Sequence, residues 1–407
     1  MAFIFPEGQR FDCGSCTKCC RGAWNIHVDP ASYEQVHGSG LYQKLEKAYG
    51  QPPMYMDEPE PGQKTALTLM HEGGCVFLDK DRLCSIHKFL GAKAKPLGCR
   101  QFPFVLRPTP DGTVVGVSFF CSAVQHNSGR PLPEHVEELE GLAKEYRHAG
   151  VGFRPISLYG DLTISWQSYK ILEDMATSCL SIDDLRLGLW RVMVGTALSV
   201  GCLLRNGTTT PLASALQPTV SDEDLDRRLR AMPAVFVARD DVFESMERMF
   251  LIGIVGALES KNPEICKKNT EAIFYRGVVD SETFRCEIEL KHFDDFRTRF
   301  DASWSTPHWK RYIDHLVFRK FLGLGRTVMA NASALYMALP LLEFYRDLFA
   351  FVQNKLQPDL QDVYLAYDVV ERGFTTHSRG MDPFFFEMAD AFVNQVQQIL
   401  KLQEMAS

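Results

Sequence analysis

The sequence lacks an excess of basic charge. Its 44 Lys and Arg stand against 51 Asp and Glu, a net of −7, which argues against a chain built to coat nucleic acid regardless of sequence. It also lacks a long apolar run. The most apolar stretch, Val192 to Leu204, lies between Arg191 and Arg205, and its thirteen residues fall short of the roughly 20 a helical span needs. A buried helix is predicted there instead, and no membrane segment is expected. The opening residues, MAFIFPEGQRFDC, reach Pro6 and Glu7 after a few apolar positions, so no secretory signal is expected either. Internal repeats and low-complexity tracts are missing. These absences predict a cytoplasmic chain whose thiols stay reduced. Disorder throughout is excluded by a 45% apolar and 23% charged composition, and 407 residues suffice for two buried cores.

What the chain does have is cysteine, unevenly placed. Of 12 Cys, eight fall in the first 121 residues: Cys13, Cys16, Cys19, Cys20, Cys75, Cys84, Cys99 and Cys121. Cys179, Cys202, Cys266 and Cys286 are scattered over the remainder and are predicted to be packing thiols. A disulfide framework does not suit a large chain in a reducing compartment. Clustered thiolates there point to metal.

The opening run is Cys13-Gly-Ser-Cys16-Thr-Lys-Cys19-Cys20. Each C-x2-C step turns two sulfurs toward one ion, so the tandem presents three or four ligands, and one distant residue closes a zinc site or an iron–sulfur cluster. Spacing alone does not choose between those metals. Gly14 and Gly22 ease the tight backbone, while Lys18 and Arg21 offset thiolate charge. Adjacent side chains diverge in an extended chain, so Cys19 and Cys20 can share a site only within a tight turn. Otherwise one of them serves a second metal or stays free. Eight thiolates would suit two four-sulfur sites. His71 and His87 lie near the cysteines and are secondary candidates.

Texture divides the chain in two. The expected fold class is α+β: a small, loop-rich metal-binding β/irregular domain over residues 1–130, then a larger all-α domain over 131–407. Pro and Gly recur through the first part and break helical runs. Two hairpins are predicted: Cys75–Leu78 with Leu83–Ile86 around a polar turn, and Phe104–Arg107 with Thr113–Phe120 around Asp111-Gly112. A further strand is expected at Thr65–Met70. Helical spacing begins at Glu134–His148; a linker follows at 150–155. Helices are then expected near 166–180, 183–204, 222–231, 241–259, 307–322, 333–355, 360–372 and 384–403. Ser181 before Asp184 and Ser221 before Asp224 have capping-box spacing.

Other motifs are weak. Ala23 stands where a C-x3-C-x2-C signature starting at Cys16 would need cysteine. Gly323-Leu-Gly325 lacks the third glycine and preceding strand of a dinucleotide loop. His308 and His315 share a predicted helix face without zinc-protease spacing and are expected to be surface or core residues, while the aromatic residues of 304–321 and Phe384–Phe386 are predicted core.

The cysteine run, Gly74-Cys75-Val-Phe-Leu, Cys84-Ser-Ile86-His87 and Pro96-x2-Cys99-Arg100-x-Phe102-Pro103 together resemble the YkgJ-type CxxCxxCC family, described as zinc- or iron-chelating. Members usually carry Tyr where this chain has His87. The joining of such a domain to a helical half is similar to flagellin lysine-N-methylase, with the Trp309–Gly323 and Ala334–Ala350 stretches resembling its carboxy-terminal helices. That resemblance implies S-adenosylmethionine-dependent methyl transfer to lysine side chains of a protein substrate. It also implies an iron–sulfur cluster, of 4Fe–4S type, with zinc as the alternative metal. It identifies no catalytic residue. Two rival expectations are a zinc-stabilised protein-interaction module and an electron-transfer or metal-delivery protein.

Overall fold

The computed structural model describes residues 2–22, 24, 26–60, 63–148, 156–206, 241–260, 262–323, 325–376 and 381–406. The chain divides into two compact units, Met1–Phe153 and Arg154–Ser407. The division falls beyond 130/131 because the helix Val136–His148 is tied into the first unit. Arg100 donates two hydrogen bonds of 2.6 Å to Glu145 on that helix, and His135 Nε2 donates to the Phe11 carbonyl at 2.9 Å. The class is α+β, with small sheets first and helices dominating the second unit.

In the first unit the hairpin Phe104–Thr109/Gly112–Val117 forms as predicted, and Phe3–Ile4 adds in parallel to its second strand. Gly112 opens that strand at φ 143°, where a Cβ would stand 2.8 Å from the Ala2 carbonyl oxygen. Only glycine lets the parallel strand approach this closely. Thr65–Met70 is extended as expected: Gln63–Thr68 pairs with Met54–Glu60 and His27–Val28, and Met70–His71 pairs with Gly74–Cys75.

The other predicted hairpin is corrected. Leu78 and Cys84 form a single bridge, and Ser85–Leu90 is a helix. Asp79 closes the loop by accepting the Leu83 amide at 2.9 Å, after which helical geometry sends Ile86 into a core with Val76 and Phe77. Two helices, Pro30–His37 and Gly40–Tyr49, were not anticipated. Proline and glycine delimit them: Asp29 caps the first with Pro30 at its first position, and Gly38 and Gly50 end them.

The second unit is built around Val328–Val352, a helix buried over most of its length and capped by Thr327, whose hydroxyl accepts the Ala330 amide at 3.1 Å. Leu185–Asn206, Asp382–Ala406, Leu360–Val370 and Asp241–Glu259 pack on it, with Trp166–Leu180 and Thr306–Phe318 farther out. All lie close to their predicted ranges, and Val192, Val194, Ala197 and Val200 are buried as expected. The 222–231 helix with Ser221 and the 150–155 linker lie outside the described residues. Additions to the all-α reading are the helices Pro263–Phe274 and Leu290–Arg297 and the hairpins Ile156–Tyr159/Leu162–Ile164 and Val278–Ser281/Cys286–Glu289. Ser181 is no cap for the following helix. It ends the preceding one by donating to the Ser178 carbonyl at 2.7 Å, and Asp184 accepts the Leu187 amide instead. Among the described residues, no helix is long and apolar enough to cross a membrane.

Candidate metal centre

The tandem motif folds as a sharply turned loop. Ser15 and Thr17 take positive φ on either side of Cys16, and Lys18–Arg21 forms a 3-10 turn in which the Cys20 and Arg21 amides bond the Thr17 carbonyl. This turn resolves the adjacency problem. Cys19 and Cys20 Sγ stand 4.0 Å apart, close to the roughly 3.8 Å expected of two sulfurs bound at 2.3 Å to one tetrahedral ion.

Three other segments hold the loop. Trp24 Nε1 donates to the Cys19 carbonyl at 3.1 Å, and its ring packs on Phe120. Lys18 Nζ reaches Gln125 Oε1 at 3.2 Å. Arg82 donates to the Cys16 carbonyl at 3.2 Å.

The remaining thiols come from element ends. Cys75 closes a two-residue strand, and Cys84 immediately precedes the helix Ser85–Leu90; both pack against the Val36, Met54, Phe77 and Ile86 core. Cys99 sits on the short helix Leu97–Gln101, anchored where Asp29 accepts the Leu97 amide at 2.9 Å. Cys121 is buried ahead of Ser122–Gln125.

Burial and neighbouring sulfurs set how readily each thiol ionises. The Cys20 thiol hydrogen-bonds to Cys19 and holds it down to about 6, with the Lys95 ammonium adding to the effect. Cys20 is pushed up by the same hydrogen bond, then by burial and by Cys75 and Cys84. Burial lifts Cys75 to about 11 and Cys99 to about 12, and in each case Cys84 and Cys19 contribute. Cys121 rises to about 11 through burial, with Cys16 and Cys19 adding.

Cys75 and Cys84 thus act on the charge of Cys20, Cys19 on that of Cys75 and Cys99, and Cys16 and Cys19 on that of Cys121. Cys13 and Cys16 are exposed; Cys16 Sγ donates to Ser122 Oγ at 3.7 Å, and the Cys13 thiol makes no hydrogen bond to the others. Among the described residues, no three His, Cys, Asp or Glu side chains are arranged to hold one ion. The donor chemistry suits a soft or borderline metal, and one pair has ligand spacing, but the set is a loose thiol cluster rather than a closed tetrahedron.

Of the secondary candidates, His71 lies 3.7 Å from Glu72 and edges the Tyr49 ring, and His87 is exposed. Among the later cysteines, Cys179 is buried as expected, while Cys266 and Cys286 are half-buried, Cys266 donating to the Ser260 carbonyl at 2.9 Å. The Cys202 side chain lies outside what is described. His315 is buried and His308 half-buried. Lys95, whose charge acts on both Cys19 and Cys99, was not singled out in the sequence; its position just before Pro96-x2-Cys99 was the available signal.

A small unit that carries thiols on a 3-10 turn and at three element ends has the make-up of a cysteine-cluster domain. Residues 12–127, a little over a quarter of the chain, match the family model "CxxCxxCC: Putative zinc- or iron-chelating domain". No curated protein and no solved structure matches the chain.

Proposed function

We propose that the first unit holds a metal centre on the thiolates of Cys13, Cys16, Cys19, Cys20, Cys75, Cys84, Cys99 and Cys121, and that the chain methylates lysine side chains of a partner protein with S-adenosylmethionine. The observation that carries the chelating part is the 4.0 Å approach of the Cys19 and Cys20 sulfurs within the family-matched stretch. Cys19 and Cys20 would be the core of the ligand set, and Lys95 would relieve the repulsion among thiolates. When bound, a 4Fe–4S cluster would supply one-electron chemistry, and zinc would supply structural closure. The methyl-transfer part rests on the resemblance to flagellin lysine-N-methylase of a cysteine domain joined to a helical half, carried there by the stretches Trp309–Gly323 and Ala334–Ala350. A lysine ammonium must lose a proton before its nitrogen attacks a methyl group, so the chain must offer a desolvating pocket or a base. The net charge of −7 favours approach of a lysine-bearing partner.

A second reading, a zinc-stabilised interaction module, is favoured by the packing of Cys75 and Cys84 against the apolar core, a setting suited to structural ligands. Anaerobic purification with metal, acid-labile sulfide and visible-absorption measurements separates the two. Brown protein containing iron and sulfide supports the first reading, and colourless protein with stoichiometric zinc supports the second. Protein purified free of both metals, and unable to take up either, overturns chelation. Failure of the metal-loaded protein to transfer labelled methyl from S-adenosylmethionine to lysine-rich acceptors removes the enzymatic step alone.

A further inference from the structure

The Gly323-Leu-Gly325 sequence, which the metal centre leaves unexplained, is followed by Arg326, and Gly323, Gly325 and Arg326 border a cavity of about 590 Å3 in the second unit. That volume suits a small organic molecule. Charges of both signs reach its wall. Arg326 is fixed in place: its Nε donates to Asp382 at 2.6 Å, and its guanidinium lies 4.1 Å over the Phe385 ring. It directly precedes Thr327, the cap of the 25-residue helix Val328–Val352, so the positive end of that helix reinforces its charge. Gly325, at φ 65°, keeps the wall beside Arg326 free of side chain.

Acid comes from two other elements. Asp390, on the last helix, accepts the Tyr159 hydroxyl at 2.6 Å, which fixes the carboxylate at the rim, and Asp161 follows from the same hairpin as Tyr159 and is exposed. Phe386, one turn before Asp390, leaves 43% of its surface exposed and adds an apolar face to the lining. A ligand suited to this wall carries a cation for Asp161 and Asp390, an anion for Arg326 and an apolar group for Phe386.

We propose that this cavity binds an α-amino-acid group bearing an apolar side chain, its ammonium at Asp161 and Asp390 and its carboxylate at Arg326, which it would share with Asp382. The proposal does not depend on methyl transfer, because recognition is of charge and shape. The group can arrive on a free amino acid or on the amino-acid end of S-adenosylmethionine, where two methylene carbons supply the apolar contact ahead of the sulfonium charge.

Isothermal titration of the full-length protein separates these sources. Leucine, methionine and phenylalanine are titrated beside S-adenosylmethionine, with analogues of both methionine and S-adenosylmethionine that are acetylated at nitrogen or lack the carboxylate. Binding of a free amino acid identifies the first source; binding of S-adenosylmethionine alone identifies the second. In either case, blocking one charge on the ligand should weaken binding at least tenfold. Asp390→Asn and Arg326→Gln should each do the same, with circular dichroism and thermal midpoint confirming that the variants are folded. Should Arg326→Gln not fold, Asp161→Asn, an exposed change, serves in its place. No binding of any ligand, equal binding of the charge-blocked analogues, or unchanged binding by the folded variants overturns the proposal.

Discussion

The indole of Trp24 occupies the space a side chain on Gly22 would need: a Cβ there would stand 2.8 Å from two ring carbons. The same indole donates to the Cys19 carbonyl, so glycine at position 22 is what allows the ring to clamp the cysteine turn. Gly22→Ala is expected to destabilise the first unit by about 1–3 kcal/mol, the usual cost of overpacking. It should also lower the metal content of purified protein. Gly14→Ala meets nothing within 4 Å and should leave both unchanged. Chemical denaturation with metal analysis of the two variants checks this, and equal behaviour would show that the clamp does not matter.

Cys75, Cys84 and Cys99 lie far from the tandem motif in sequence, yet Cys75 and Cys84 raise Cys20, and Cys19 raises Cys99. Serine at any of the three should cost most of the bound metal and lower the unfolding temperature of the first unit, since a ligand's binding energy is also folding energy. Cys266→Ser, in the second unit, should keep full metal occupancy. Elemental analysis decides, and metal retained in all three double-checked serine variants would remove them from the ligand set.

Uneven thiol placement made a cysteine-rich first part legible and helical periodicity a helix-dominated second part, because both are local signals. Helices such as Trp166–Leu180 and Asp241–Glu259 match the spacing of their apolar residues. Pro30–His37 was hidden because Pro and Gly mark helix ends as readily as loops, and only the Asp29 cap tells them apart. Ser85–Ile86 read as strand since four apolar or small residues do not reveal a period. The approach of Cys19 to Cys20 depends on positive φ at Ser15 and Thr17, which those residue types do not announce. The cavity at Arg326 unites three distant segments and had no local signature.

Lys95 is placed to make the thiol cluster easier to ionise, because its ammonium favours the thiolates of both Cys19 and Cys99. Lys95→Gln should weaken metal retention about tenfold, within the range typical of groups just outside a ligand set. Lys93→Gln, exposed and two residues away, should have little effect. Competition with a graded series of chelators measures the difference. Equal retention by the two variants would mean that Lys95 does not tune the cluster.

In the second unit, Glu371 is wholly buried and receives Arg319 Nη1 at 2.8 Å and the Tyr312 hydroxyl at 2.7 Å. Burial alone would raise its pKa, but the Arg319 charge and these hydrogen bonds win and hold it at about 2. The folded value therefore lies below the unfolded one of roughly 4.3, so the carboxylate's contribution is complete above about pH 4.5 and is lost as pH falls toward 2. The shift corresponds to about 3 kcal/mol. Glu371→Gln strands the Arg319 charge and should cost about 3–5 kcal/mol at neutral pH. The variant should then lose less stability than wild type between pH 4.5 and 2, since the group that titrates has gone. Urea unfolding across that range tests the sign directly. Parallel pH profiles for the two proteins would mean that Glu371 is not the ionised partner of Arg319.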